Sequence, residues 1–106
     1  MDQQYGLPSH AVDKINEVFR LYPQIKQVIL YGSRALGSYK PSSDIDLCID
    51  AESMSLSQLL KIENQLDDLL LPWNIDLCLK HVIDNPDLLA HIDHAGTVFY
   101  LGAPPQ

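Results

Sequence analysis

Two pentapeptides thirty residues apart nearly repeat one another: Ile45-Asp46-Leu47-Cys48-Ile49 and Ile75-Asp76-Leu77-Cys78-Leu79. Each alternates polar and apolar residues, the pattern of a strand with one face buried. With their flanking residues they read as strands over 44–49 and 74–79. Between them, Ser55-Leu56-Ser57-Gln58 has the form of a capping box, with Ser55 as cap and Gln58 reaching back. Leu59, Ile62, Leu66, Leu69 and Leu70 then line one helix face until Pro72. A helical crossover between two strands favours parallel pairing. If the copies are neighbours in register, Asp46 and Asp76 point to the same face. Asp44, two residues earlier, points there too, because strand side chains alternate with period two.

The remaining segments supply partners for that pair. Pro8 and Ser9 open a helical stretch with an apolar stripe at Val12, Ile15, Phe19 and Tyr22, and Pro23 ends it. Gln27 to Tyr31 reads as a buried strand. It runs directly into Gly32-Ser33 and a brief helical turn, Arg34 to Gly37. Such a strand–turn–helix junction lets phosphate approach the backbone. Ser38 to Ser43 is a polar loop. Asn85-Pro86 caps a last helix with Leu88, Leu89, Ile92 and Ala95 on its apolar face, and Gly96 ends it. Val98 to Leu101 reads as a short edge strand finishing the sheet, and the tail 102–106 as disordered. The expectation is one domain, 1–106, of the α/β (α+β) class: a mixed β-sheet packed with helices in the order α-β-α-β-α-β-α.

Three carboxylates held close are electrostatically costly unless some are protonated or a cation neutralises them. A hard divalent cation with oxygen ligands, such as Mg2+, is the natural solution, and magnesium shares its shell with substrate phosphates. Gly32-Ser33 offers those phosphates a close backbone, N–H donors and a hydroxyl. Gly-Ser alone is a common loop dipeptide, and aspartates at strand ends are common too. Gly-Ser, ten residues, Asp-x-Asp and a third aspartate on a later strand form a far more restrictive pattern.

Leu30-Tyr31-Gly32-Ser33-Arg34-Ala35-Leu36-Gly37 with Ser43-Asp44-Ile45-Asp46-Leu47 resembles the signature of the DNA polymerase β-like nucleotidyltransferase superfamily. The short chain points to its minimal nucleotidyltransferase (MNT) branch. The resemblance implies the nucleotidyltransferase fold and a set of roles. Gly32 and Ser33 would hold the triphosphate of ATP or another nucleoside triphosphate, with Arg34 a phosphate contact or else a solvated arginine. Asp44 and Asp46 would ligate magnesium. Asp76 would complete the metal site and help deprotonate an acceptor hydroxyl. Leu36 departs from the pattern, since many members carry a second basic residue there. The resemblance also implies a partner. Many MNT proteins pair with a HEPN-domain toxin as its antitoxin, and some transfer AMP from ATP to a tyrosine of that toxin. The competing reading is a non-catalytic module that neutralises a HEPN partner by covering it. Transfer to a small molecule usually needs a further domain to hold the acceptor.

Composition narrows the partners. With 14 acidic and 7 basic side chains the formal charge is −7, which disfavours direct nucleic-acid binding. No apolar run is long enough to span a membrane, and the first residues lack the features of a signal peptide, so a cytoplasmic location is expected. A homo-oligomer stays open. Cys48 and Cys78 fit no zinc motif and read as small buried hydrophobes. His91 and His94 share a helix face but read as surface histidines without a role. Trp73 reads as a core or rim aromatic, and Asp67-Asp68 as a solvated face. Tyr31 and Tyr39 flank the Gly-Ser loop, where either could stack on a base; for Tyr31, packing is the safer reading.

Overall fold

The computed structural model describes residues 3–102, and the expectation of disorder for 103–106 lies outside them. A small antiparallel hairpin, β1 (Gln3–Gln4) and β2 (Leu7–Pro8), precedes helix α1 (Ser9–Arg20). Then come β3 (Gln27–Tyr31), the single-turn helix α2 (Ser33–Leu36), β4 (Ile45–Asp50), α3 (Leu56–Asp67) and β5 (Ile75–Leu79). A 3-10 turn (Lys80–Val82), α4 (Pro86–Ala95) and β6 (Thr97–Leu101) complete the order. The hairpin and the 3-10 turn are the elements that the sequence pattern does not announce.

The four long strands form one mixed sheet in the order β5-β4-β3-β6. β3 pairs antiparallel with both β4 and β6, while β4 and β5 run parallel. The near-copies pair residue for residue, with Asp46 opposite Asp76 and Cys48 opposite Cys78. Alternation then sorts the side chains. Val28, Leu30, Ile45, Leu47, Ile49, Leu77 and Leu79 join Val12, Ile15, Phe19, Leu59, Ile62 and Leu66 of α1 and α3 in the main core. Fully burying one such side chain is worth about 1.5–3 kcal/mol. The opposite face carries a smaller cluster of Ile29, Cys48 and Ile92, with Tyr31, Cys78, Ile83 and Leu88 packed against it. Asp46 and Asp76 share that second face, which α4 covers in part.

The helix ends follow local chemistry with two departures from the expected boundaries. Tyr22 lies past the end of α1, yet it is buried, and its hydroxyl donates to Gln65 Oε1 on α3. α3 ends at Asp67, before Pro72, as the chain turns back towards the sheet. Leu70 therefore leaves the helix face, adopts a left-handed φ of 55° and is 88% exposed. Gly102, expected in the loose tail, donates its amide to the Lys26 carbonyl at 2.8 Å.

At the start of α3, Ser55 Oγ accepts from the Gln58 amide at 3.2 Å, and Gln58 Oε1 accepts from the Ser55 amide at 3.0 Å. Ser55→Ala removes one half of this reciprocal cap and should cost about 1 kcal/mol. Urea unfolding should show a lower midpoint at unchanged slope; an unchanged midpoint would show that the box contributes nothing.

Candidate active site

The fold gathers the polar signature at one end of the sheet. β3 ends at Tyr31, and Gly32 opens the turn into α2 with φ 75° and ψ −155°. This is left-handed backbone that a side chain adopts only under strain. A Cβ at Gly32 would also run into the Asp46 carboxylate. Glycine is thus required twice, once for the turn and once for the approach of Asp46.

Asp46 lies opposite Tyr31 on β3 and opposite Asp76 on β5. Asp44 stands just before β4 and is exposed, as is Asp76, while Asp46 is half-buried. The Asp46 pKa is raised, first by burial and then by Asp76 and Asp44. Three carboxylates thus act on one locus. Among the described residues the one ion pair is Lys80–Asp93 at 3.6 Å, so none of the three is neutralised by a basic side chain.

Magnesium suits this donor set: hard oxygen ligands, uncompensated negative charge, and a turn for phosphates alongside. Among the described residues no three ligands form a ready-made metal cage. Magnesium is commonly held by one or two carboxylates plus substrate phosphates rather than by such a cage.

Arg34 takes a place the sequence does not foretell. It is 2% exposed, neither a solvated arginine nor a group open to phosphate. Its Nε and Nη2 donate to the Ser43 carbonyl at 3.2 and 2.9 Å, Nη2 also to Pro41 at 3.3 Å, and Nη1 to Tyr5 at 2.9 Å. Its guanidinium lies 5.2 Å from the Tyr39 ring centroid and 5.9 Å from that of Trp73, and the Trp73 indole donates to the Pro41 carbonyl at 2.9 Å. Arg34 and Trp73 therefore pin the loop that delivers Asp44. Tyr39 packs on Arg34, and Trp73, expected as a core or rim aromatic, is half-buried against the main core.

His91 is the residue sequence reasoning passed over. From α4 its Nε2 accepts the Gly32 amide at 3.1 Å, and its ring meets Tyr31 edge-on at 6.1 Å. The helical period that puts Ile92 into the small cluster turns His91 towards the Gly-Ser turn, a clue visible only once α4 is known to cover that end of β3. His94 is exposed, as expected. Below the carboxylates, Cys48 is fully buried and Cys78 half-buried, both as free thiols. The Cys48 pKa is pushed up by its hydrogen bond to Cys78 and by burial. The Tyr31 hydroxyl lies 3.6 Å from Cys78 Sγ, and burial holds its pKa above the ordinary phenol value.

A mixed sheet carrying a Gly-Ser turn and in-register aspartates is the framework of a nucleotidyltransferase, and the comparisons agree. The family model described as polymerase beta, nucleotidyltransferase matches residues 13–102. A Methanocaldococcus jannaschii protein named as a putative protein adenylyltransferase is 37% identical over 84 residues, which cover 72% of this chain and 85% of that one. Two crystal structures share the fold at TM-score 0.70, covering 87% of this chain and 73% of theirs. One is a toxin-antitoxin with AMP-PNP, at 21% identity, and the other a mutant of the toxin-antitoxin MntA-HpeT, at 19%. The chain belongs to the polymerase β nucleotidyltransferase family.

Two outcomes follow from the geometry. Arg34→Met leaves buried carbonyls unpaired and should destabilise the fold by about 3 kcal/mol, read by thermal unfolding. Unchanged stability with weakened nucleotide binding would instead make Arg34 a phosphate ligand. Asp46→Asn should raise the melting temperature at neutral pH. A carboxyl whose folded-state pKa is raised destabilises the fold as pH rises through that value. The gain should therefore vanish below the ordinary carboxylate range, where the wild-type group is protonated folded or unfolded. A variant that melts lower than wild type at neutral pH would contradict the like-charge reading.

Proposed function

We propose that this protein transfers a nucleoside monophosphate, AMP from ATP, to a hydroxyl of a protein partner, and that the partner is a HEPN toxin which it silences as antitoxin. The observation that carries this reading is the parallel register placing Asp46 beside Asp76, next to a Gly-Ser turn that leaves room for them. The relative named as a protein adenylyltransferase supports the choice of donor and acceptor. The toxin-antitoxin structures of like fold support the partner.

Asp44, Asp46 and Asp76 hold magnesium in this reading, and the bound ion supplies positive charge against the carboxylates and the triphosphate. Gly32 and Ser33 lay their backbone and hydroxyl against the phosphates, fixing the α-phosphorus over the sheet end. The acceptor oxygen bonds to that phosphorus as the bond to the bridging oxygen breaks, and pyrophosphate leaves. Asp76, exposed on the edge strand β5, takes the acceptor's proton. Its position lets a hydroxyl come from outside the chain, as a protein acceptor requires.

Incubation with labelled ATP, magnesium and a HEPN partner should label the partner, adding one or more adenylyl groups by mass spectrometry. Asp44→Asn with Asp46→Asn should take labelling below detection. A double variant that labels as well as wild type would remove these carboxylates from the site. A partner that co-purifies and is neutralised without any mass change would replace catalysis by simple cover.

A further inference from the structure

The contact between His91 and the Gly-Ser turn has a consequence for how phosphate is held. Within the proposed nucleotide site, on which this inference rests, Gly32 and Ser33 both appear as phosphate-binding residues. Their amides are not equivalent. The Gly32 N–H is directed at His91 Nε2 at 3.1 Å, a normal length for a made hydrogen bond. An accepting Nε2 carries no proton, so the neutral imidazole carries its own on Nδ1.

His91 is itself firmly placed. Asn85 Oδ1 caps α4 by accepting from the Asp87 and Leu88 amides at 2.9 and 3.4 Å. Ile92, next to His91, is 1% exposed in the small cluster against Ile29 and Cys48. The imidazole packs in a T-shaped contact with Tyr31, the residue before the turn. The histidine thus reaches Gly32 from a packed helix rather than from a mobile loop.

We propose that His91 is a positioning residue. Its Nε2 holds the Gly32 amide away from the substrate, fixes the left-handed glycine, and thereby aims the Ser33 amide and hydroxyl at the triphosphate. The assignment divides the turn: Gly32 shapes it and Ser33 binds. It also ties nucleotide affinity to the docking of α4, an element carrying none of the signature residues.

The test compares His91→Leu, which removes the acceptor, with His91→Gln, whose side-chain oxygen restores one at similar reach. Calorimetric titration of the full chain with AMP-PNP and magnesium should show binding weakened about tenfold in the leucine variant and restored to within about threefold in the glutamine variant. Hydrogen exchange at the Gly32 amide should be slow in wild type and His91→Gln and faster in His91→Leu. Undiminished affinity in His91→Leu, or a glutamine variant as weak as the leucine one, would overturn the assignment. A wild-type chain that fails to bind AMP-PNP would overturn the nucleotide site itself. The Gly32 exchange comparison would then decide alone whether His91 holds the turn, and equal exchange in wild type and His91→Leu would rule it out.

Discussion

Everything at the sheet end depends on the register between β4 and β5. Parallel strands slipped by one residue exchange faces. A one-step slip would send Asp76 into the main core and Leu77 out of it. The near-repeat prevents this, because both strands put isoleucine or leucine on the core face at every second position. Hydrophobic burial beneath the sheet thus sets the juxtaposition of carboxylates above it. The crossover helix α3 closes the unit, burying Leu59, Ile62 and Leu66 on the face that fixes the register.

Two basic side chains brace this arrangement without neutralising it. Arg34 spends its donors on the Ser43, Pro41 and Tyr5 carbonyls, so its charge lies beneath the loop rather than beside a carboxylate. His91, as an acceptor, engages the Gly32 amide in its neutral form. Had either formed an ion pair with Asp46 or Asp76, the fold would gain and the site would lose the uncompensated charge that a cation requires. The Asp46 pKa is raised, first by burial and then by Asp76 and Asp44, so local instability is kept where a ligand can relieve it.

The framework was legible because it rests on periodicity. The period-two strands, the Ser55–Gln58 box, the Asn85 cap and the parallel pairing of the near-copies all follow from neighbours along the chain. The Gly-Ser turn was legible as well, since Gly32 meets a requirement of its own backbone. Arg34 and His91 were not, because their partners come from distant segments: the Tyr5 carbonyl for one, the Gly32 amide for the other. A backbone carbonyl or amide has no sequence signature, so a side chain that serves it looks like any surface residue. Leu70 misled for a related reason. Its spacing suits the α3 face, but the chain must leave the helix early to return to the sheet, and connectivity outranks a fifth apolar position.

The same division bears on where specificity resides. Groups that can face phosphate and a cation lie at one end of the sheet, on β4 and β5, just before β4 and in the turn that follows β3. In the proposed reaction the acceptor approaches over β5, an edge strand with Asp76 exposed. A transfer site built this way fixes the donor closely and leaves the acceptor's position to whatever docks against the edge. A hydroxyl on a folded partner arrives with its own scaffold, which supplies the orientation this chain does not build. For the proposed transfer, the −7 charge suits an acceptor whose docking surface is basic.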